Sequence, residues 1–271
     1  MAYRVGFIGT GNMGGALIKS VVSKDKQQGF QIYAYDVNME LLNKLAEETG
    51  ITASKSVCDI VENTDMIVLA VKPQYAQSVV EEISKASIGN KILISIIVGL
   101  PISYYKKILG DSAKIVRTMP NTPALVGEGM TLVCCDSNIS SDEKKSVMSL
   151  LGYSGLVEEL DENLMSEVTA LTGSSPAYVF MFIEAMADAA VQSGIPRKLA
   201  YRLAAQAVLG SAKMVLDTGR HPGELKDMVC SPAGTTIEAV AALERTGFRN
   251  SIITAMGECT KKAREIGKKF S

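Results

Sequence analysis

The sequence lacks tryptophan, has one histidine and carries almost no net charge. Lys and Arg together number 28 against 29 for Asp and Glu, and aromatic residues make up 6% of the 271 residues. A protein that binds nucleic acid needs a basic surface for the phosphates, and often aromatic side chains for stacked bases. The composition therefore argues against nucleic acid as the main partner.

The sequence also has only five cysteines, and their spacing is not that of metal ligands. A chain of this size folds without disulfides, so we expect reduced thiols buried as small apolar side chains. No apolar run approaches the roughly 20 residues that cross a bilayer, and the apolar start breaks at once into a glycine-rich loop. These absences predict a soluble, cytoplasmic protein with no signal peptide and no membrane contact.

Hydrophobic residues make up 47% of the chain, which suits about two domains. Up to about residue 160, short runs rich in Val, Ile and Leu alternate with helix-like segments. Such runs are typical of parallel strands covered on both faces, so we predict a doubly wound α/β sheet, a Rossmann-type dinucleotide-binding domain, over residues 1–160. The predicted strands are Val5–Ile8, Ile32–Tyr35, Met66–Val71, Ile92–Ile97, Ile115–Thr118 and Met130–Cys135.

After Leu160 the strand signals stop, and Ala, Met and Leu recur at helical spacing. The segment Ser175–Ile183 begins with a cap residue and Pro, and its apolar side chains point to every face of a helix. Such a helix must be covered by a domain core or by a second subunit. We predict an all-helical substrate and dimerisation domain over residues 161–271, with a second long helix over residues 197–217.

The glycine-rich segment Gly9–Gly14 lies between a predicted strand and a predicted helix. In a dinucleotide site, Gly9 permits the tight turn, Gly11 lets a pyrophosphate approach the backbone, and Gly14 lets the helix pack close to the sheet. Glycine triplets also occur in ordinary turns. The flanking strand and helix favour dinucleotide binding here.

Asp36 ends the second predicted strand, where an acid accepts hydrogen bonds from the adenosine ribose. An acid repels a 2′-phosphate and no Arg follows within residues 36–40, so this site favours NADH over NADPH. The alternative is that Asp36 or Asn38 only caps the next helix.

The segment Ala70–Pro73 follows another predicted strand. Ligands of open α/β sheets lie outside the carboxyl ends of the strands, so Lys72 and Pro73 are expected to border the cofactor. Lys72 is otherwise a surface lysine at a strand end.

The turn Ser231–Gly234 opens onto a predicted helix whose first residues are Thr235 and Thr236. A helix N-terminus entered through small residues offers N–H groups and partial positive charge to a carboxylate. The alternative is that these residues only cap the helix.

The single histidine, His221, lies in a turn that we expect to be exposed, so we do not expect it to act as a catalytic acid.

These motifs together resemble those of the pyrroline-5-carboxylate reductases, in order and in spacing, over essentially the whole chain. The motifs are Gly9–Gly14, Ala70–Pro73, Met119–Pro123, Gly173–Tyr178 and Ser231–Thr236.

The resemblance implies reduction of 1-pyrroline-5-carboxylate to L-proline with NADH or NADPH, by a homodimer that can assemble into a ring of dimers. It implies cofactor contacts at Ile8, Gly9, Thr10, Gly11, Asn12, Met13, Gly14, Ala70, Val71, Lys72, Pro73 and Glu162. It implies a substrate seat at Val229, Ser231, Gly234, Thr235 and Thr236, with Thr236 as the catalytic residue beside the ring nitrogen. A protonated cyclic imine accepts hydride without a metal, so no metal site is predicted.

Three positions depart from the family pattern. Ser175 and Ala233 replace its commoner glycines, and Asp36 differs from the Ser or Asn-Arg type of many relatives that use NADPH, so the resemblance does not carry over the choice of cofactor. Two other functions are the alternatives. A β-hydroxyacid dehydrogenase of similar architecture carries a catalytic Lys where this chain has Val179. A nucleotide-sensing relative without catalysis has no need of the intact Ser231–Thr236 turn.

Overall fold

The computed structural model describes residues 3–26 and 29–267. Its eight strands form one sheet in the order β3-β2-β1-β4-β5-β6-β7-β8. The strands are β1 Tyr3–Ile8, β2 Phe30–Tyr35, β3 Thr52–Ala53, β4 Met66–Leu69, β5 Ile92–Ser95, β6 Lys114–Met119, β7 Gly129–Cys135 and β8 Gly155–Glu159.

Helices connect these strands and follow the last of them. They are α1 Asn12–Lys24, α2 Met39–Thr49, α3 Val57–Asn63, α4 Ala76–Lys85, α5 Ile102–Leu109, α6 Ser141–Gly152, α7 Met165–Val168, α8 Ser175–Gln192, α9 Arg197–Thr218, α10 Pro222–Val229, α11 Thr235–Arg245 and α12 Phe248–Gly267. A π-helical turn, Thr169–Gly173, leads into α8, and 3-10 turns lie at Pro73–Tyr75, Thr122–Val126 and Glu162–Leu164.

The central strand β4 is apolar at every position because both faces of the sheet are covered there. In β4, Met66 and Val68 pack into the core on one face, while Ile67 and Leu69 pack into the core on the other. All four side chains are fully buried. The doubly wound sheet is therefore confirmed, although β4 and β5 end two residues before the apolar runs that predicted them.

The prediction that all strands run parallel is wrong at β7, which pairs antiparallel with β6. Residues 120–128, which connect the two strands, hold only a 3-10 turn, too short for the crossover that a parallel pair requires. Two strands were not predicted. β3 has two exposed residues, and β8 is an exposed edge strand that ends in Glu158 and Glu159, so neither has an apolar run.

Contacts within the chain divide it into two compact units, residues 1–173 with 260–271 and residues 174–259. The first unit contains the whole sheet, and the second consists of helices, as expected for the two halves of the chain. The predicted boundary at residue 160 follows the last strand, whereas the contact division follows the π-helical turn Thr169–Gly173.

In the second unit, α8 exposes large apolar side chains. Phe180 is 62% exposed and Met181 is 69% exposed, and Leu243 of α11 is exposed as well. The single chain therefore does not bury α8, the helix whose apolar side chains on every face predicted that it is covered. Ser175 does not cap α8: the N-cap is Ser174, whose helical backbone follows directly from the π-helical turn and whose side chain makes no capping bond.

The five cysteines are free, and the prediction that they are buried is wrong. Cys58 is exposed on α3 and the other four are half-buried, with Cys134 and Cys135 packed against the margin of the core. Within the described residues, no helix combines the length and the apolar composition needed to cross a membrane.

Candidate active site

The glycine-rich loop connects β1 to α1 and has the backbone geometry expected of it. Gly9 has a φ of +100°, and a Cβ there would lie 2.6 Å from the carbonyl oxygen of Ala70. A Cβ on Gly14 would lie 2.2 Å from the carbonyl oxygen of Gly9, so this glycine permits the close packing of helix on loop. A Cβ on Gly11 would meet nothing within 4 Å, which leaves open space for a ligand.

Asp36 binds this loop directly. Its Oδ2 accepts hydrogen bonds from the backbone N–H of Thr10 at 2.6 Å and from the Thr10 hydroxyl at 3.0 Å, and its Oδ1 accepts one from the N–H of Asn38 at 2.9 Å. Thr10 is 3% exposed. The capping alternative belongs to Asn38 instead, whose Oδ1 accepts from the N–H of Leu41 at the start of α2. Asp36 therefore joins β2 to the glycine-rich loop.

A cleft of about 300 Å³ lies beside the loop at the carboxyl ends of β1 and β2. It includes the predicted residues Ile8, Gly9, Asp36 and Val71. The rest of its lining was not predicted: Tyr35, Val37, Val57, Tyr75, Ser78, Val79 and Glu82. The sequence signal for this wall was the position of Val37 just after the end of β2 and of Tyr75 in the 3-10 turn that follows β4. The structure leaves these side chains 87% and 55% exposed.

A second cleft of about 310 Å³ borders the other side of the loop. The predicted residues Thr10, Gly11 and Asn12 line it, together with side chains of α1 and α2. Met13 instead packs against the core. Gly11 and Asn12 are exposed, so the start of α1 is accessible.

The segment Ala70–Pro73 meets the glycine-rich loop at the switch point between β1 and β4. The N–H of Ala70 donates to the carbonyl of Ile8 at 2.8 Å. Lys72 and Pro73 are exposed and begin the 3-10 turn. The exposed position of Lys72 therefore also agrees with the alternative interpretation, in which it is a surface lysine at a strand end.

Glu162 lies in neither of the two clefts that border the glycine-rich loop. Its Oε1 accepts hydrogen bonds from the N–H of Ile102 at 2.7 Å and from Nη1 of Arg117 at 3.1 Å. The structure thus gives Glu162 two partners within the first unit that the sequence did not indicate.

The predicted substrate residues belong to the second unit, where they surround the start of α11. Gly234 is the N-cap, and its N–H donates to the carbonyl of Ser231 at 3.0 Å. A Cβ on Gly234 would lie 2.3 Å from the Ser231 hydroxyl oxygen, so the Ser231 side chain would have to move to admit one. Because Gly234 has no side chain to cap the helix, the first-turn N–H groups keep their capacity to bind an anion.

The side chains at this turn are accessible. Ser231 and Thr235 are exposed, Thr236 is half-buried, and Val229 at the end of α10 is 65% exposed. Ala233 has a φ of +56°, in the left-handed region that favours glycine.

His221 is exposed, as expected, and caps α10: its Nδ1 accepts from the N–H of Gly223 at 3.0 Å. Over residues 3–26 and 29–267, no three His, Cys, Asp or Glu side chains form a group that could hold a metal ion.

Comparison with known proteins finds family models that match both the segment with the glycine-rich loop and the segment with the turn into α11. Residues 4–99 match the family model described as NADP oxidoreductase, coenzyme F420-dependent. Residues 162–266 match the model described as pyrroline-5-carboxylate reductase dimerisation. The chain is 44% identical over 268 residues to the pyrroline-5-carboxylate reductase of Escherichia coli (strain K12), with 99% of this chain and 100% of that protein covered. The chain belongs to the pyrroline-5-carboxylate reductase family.

Two solved structures of the family resemble the fold over its full length. The enzyme from Coxiella burnetii gives a TM-score of 0.91 at 32% identity, covering 98% of this chain and 99% of that one. The Plasmodium falciparum enzyme, solved with NADP bound, gives 0.86 at 33% identity, covering 98% of both chains. The family resemblance carried by the sequence motifs is therefore confirmed.

Proposed function

We propose that the protein reduces 1-pyrroline-5-carboxylate to L-proline, the last step of proline biosynthesis, with NADH or NADPH as the hydride donor. The observation that carries the proposal is the full-length similarity to pyrroline-5-carboxylate reductases, which spans the glycine-rich loop and the Ser231–Thr236 turn together. The dehydrogenase and sensor alternatives have no comparable support.

The proposed cofactor residues are those predicted from the sequence. Glu162 is assigned by the resemblance alone. The others lie around the glycine-rich loop: Ile8, Gly9, Thr10, Gly11, Asn12, Met13, Gly14, Asp36, Ala70, Val71, Lys72 and Pro73. The open space at Gly11 and the accessible start of α1 fit a pyrophosphate. Asp36 lines the adjoining cleft, which contains Glu82 and no Lys or Arg, so the nucleoside end favours NADH. When bound, the cofactor supplies a hydride from its nicotinamide.

The substrate residues hold the carboxylate and the ring nitrogen of the imine. The first-turn N–H groups of α11 and the Ser231 hydroxyl bind the carboxylate, beside Gly234, Thr235 and Val229. The protonated ring nitrogen donates its hydrogen bond to the hydroxyl oxygen of Thr236. Hydride adds to the carbon of the C=N bond, and the nitrogen takes up the electron pair and keeps its proton. The protein therefore acts by positioning and electrostatics.

The second unit supports assembly from at least two copies. Its match to a dimerisation model and the exposed Phe180 and Met181 on α8 suit a homodimer, in which a second copy covers the apolar face. We assign residues 161–271 to the substrate and dimerisation domain, and residues 1–160 to the dinucleotide-binding domain. A ring of dimers and a cytoplasmic location are the finer parts of this proposal.

The proposed activity is tested by following NADH and NADPH oxidation side by side with 1-pyrroline-5-carboxylate. We expect turnover with both cofactors and a higher kcat/KM with NADH. Absence of turnover with either cofactor would contradict the proposed function, and a strong preference for NADPH would contradict only the role given to Asp36.

The role of Thr236 is tested by Thr236→Ala. Loss of one hydrogen bond to a charged nitrogen lowers kcat/KM by about 10- to 100-fold, with the Kd for NADH unchanged. Thr246→Ala is the matched control, because it removes a hydroxyl that bonds only to backbone carbonyls at the other end of α11. Equal activity of the two variants would remove Thr236 from the mechanism.

A further inference from the structure

Asn121, in the segment that follows β6, links two other parts of the first unit through its half-buried side-chain amide. Its Nδ2 donates a hydrogen bond to the carbonyl oxygen of Thr172 at 3.0 Å, and its Oδ1 accepts one from the N–H of Met130 at 2.9 Å. Because that N–H can only donate and that carbonyl can only accept, the two contacts fix the orientation of the amide. Asn121 therefore connects β7 to the π-helical turn Thr169–Gly173.

The end of this π-helical turn has little apolar anchoring. Met165 of α7, just before the turn, is 2% exposed and packs into a small apolar core at the end of β6. Within the turn Ala170 is buried, but Leu171 is 57% exposed. The hydrogen bond from Asn121 to Thr172 therefore holds the part of the turn that lies beyond its last buried side chain.

The turn is held at the edge of the sheet where the cofactor is proposed to bind. Strands β4, β5 and β6 run parallel, so their carboxyl ends share one edge, and Asn121 lies two residues after the end of β6. A dinucleotide at the switch point between β1 and β4 extends over both halves of the sheet. With its adenosine end beside Asp36, its nicotinamide end lies over β4 to β6. Glu162, a proposed cofactor residue, begins the run of helical turns that ends with Gly173.

We propose that Asn121 is a positioning residue for hydride transfer, which holds the π-helical turn in place as a wall of the nicotinamide end of the cofactor. The proposal rests on the proposed function. Asn121 acts through the backbone of Thr172, and its bond to Met130 makes the turn take its position from the sheet. Hydride transfer requires a narrow range of distances between the reacting carbons, so a displaced wall slows the chemical step more than it weakens cofactor binding.

Asn121→Asp tests the donor of this amide alone. The carboxylate still accepts from the N–H of Met130, but it presents an oxygen instead of an N–H group to the carbonyl of Thr172. We expect kcat to fall about 10-fold, equally with NADH and NADPH, because a loosened turn misplaces the reacting atoms. The Kd for NADH changes little, because the glycine-rich loop and the hydrogen bonds of Glu162 are untouched. Asn121→Ala removes both contacts and loses at least as much.

Asn138→Asp is the matched control, because it makes the same change at the amino end of β6. The Nδ2 of Asn138 donates to the carbonyl oxygens of Asp111 at 2.7 Å and Ala113 at 3.3 Å, just before that strand begins. We expect this variant to lose stability and to keep the wild-type kcat. A loss of kcat as large as that of Asn121→Asp would mean that activity follows stability in general, and it would overturn the proposal.

A single-turnover experiment, with NADH equimolar to the protein and well above its Kd, separates positioning from loss of folded protein. Fewer folded molecules lower the amplitude of fast NADH oxidation, whereas misplaced reacting atoms lower its rate constant. We expect the rate constant to fall in Asn121→Asp and to stay at the wild-type value in Asn138→Asp. An unchanged rate constant in Asn121→Asp would contradict the positioning role, and a raised Kd for NADH with it would mean that Asn121 touches the cofactor.

Thr169→Val loosens the same turn without altering Asn121. Its hydroxyl donates to Sδ of Met119 at the end of β6, at 3.5 Å, and to the carbonyl of Met165 at 3.0 Å. We expect a lower rate constant of hydride transfer in this variant too, by a smaller factor, because the bond to sulfur is weaker than that of an amide to a carbonyl. A wild-type rate constant here, together with one in Asn121→Asp, would exclude the turn as a wall of the site.

Amide hydrogen exchange of the protein without ligands gives a readout that does not depend on the reaction. We expect faster exchange over residues 169–173 in Asn121→Asp and Asn121→Ala, and wild-type exchange there in Asn138→Asp. Unchanged exchange in both Asn121 variants would overturn the proposal even if activity fell. Absence of turnover in the wild-type protein would instead count against the proposed function, and exchange would still decide whether Asn121 holds the turn.

Discussion

At the scale of single residues, Asp36 illustrates how one carboxylate can serve both the fold and a ligand. The sequence predicted its place at the end of a strand and a role towards the ribose. The two hydrogen bonds from Thr10 could not be predicted, because they depend on the path of the glycine-rich loop beside β2. Asp36 therefore shapes the loop that we propose binds the cofactor, and it also faces the adjoining cleft.

Replacement of Asp36 is expected to impair the use of both cofactors. Asp36→Ser removes charge-assisted bonds to the loop that contribute about 1.5–3 kcal/mol, so KM for NADH rises about 10- to 100-fold without a matching gain for NADPH. Steady-state kinetics with each cofactor measure this. Asn38→Ala is the control, since it removes only the cap of α2 and lowers stability by about 1 kcal/mol. A clean switch to NADPH in Asp36→Ser would contradict the anchoring role.

Ala233 carries backbone strain in the predicted substrate turn. Its left-handed conformation costs about 1–2 kcal/mol for a residue with a Cβ. Ala233→Gly removes that cost and adds about 0.4–1 kcal/mol of chain entropy to the unfolded state. We expect a net gain in stability of about 0.5–1 kcal/mol by urea unfolding.

The control for Ala233 is Ala239→Gly, the same substitution in the interior of α11. There glycine lowers stability by about 1 kcal/mol, because no positive φ is relieved. Loss of stability in both variants would mean that Ala233 is not strained.

At the scale of elements, the ion pair between Arg4 and Asp65 joins the start of β1 to the residue before β4. The N–H, Nε and Nη2 of Arg4 all donate to the Asp65 carboxylate, at 3.0, 3.1 and 2.6 Å. These bonds from Arg4 lower the pKa of Asp65 below its ordinary value. Because the folded pKa is below the unfolded one, the pair stabilises the fold above the unfolded pKa, and this stabilisation is lost as pH falls through the folded value.

Asp65→Asn is expected to show this pH dependence. At pH 7 it costs up to about 1 kcal/mol, since both side chains are more than a third exposed and water screens the pair. At about pH 3, below the ordinary aspartate pKa of about 3.9, the difference from wild type is smaller, and it disappears only below the folded pKa. Urea unfolding at both pH values measures it, with Glu47→Gln on the exposed face of α2 as the control. A difference that persists undiminished at low pH would exclude the carboxylate as its source.

The elements that the sequence predicted are those whose pattern is set locally or by complete burial. The strands from β1 to β6, apart from β3, were visible as apolar runs, and the turn into α11 was visible from its small residues. The direction of β7 could not be predicted from the sequence, because it depends on the short connection from β6. The hydrogen-bond partners of Glu162 could not be predicted either, because the N–H of Ile102 lies 60 positions away in the sequence.

At the scale of the whole molecule, the two-domain organisation was predicted from the change of periodicity near residue 160. The sequence predicted that the apolar side chains of α8 must be buried, but it does not say whether the same chain or a second copy buries them. Burial of α8 by a second copy is therefore part of the proposed assembly.

Phe180→Glu is expected to shift the protein from dimer to monomer. A carboxylate at a position 62% exposed in the single chain does little to the fold of that chain but must be buried in the dimer without a partner. Sedimentation measures the mass. Leu156→Glu, at a 56% exposed apolar position on β8, is the control and keeps the wild-type mass. The same mass for Phe180→Glu and wild type would place the contact elsewhere.

The two edges of the sheet bear on this assembly. One edge strand, β3, has only two residues. The other, β8, carries two exposed glutamates, one of which pairs with Lys144. Short and charged edges resist the addition of a further strand from another molecule. Growth of the sheet into aggregates by addition of a strand at either edge is thereby disfavoured.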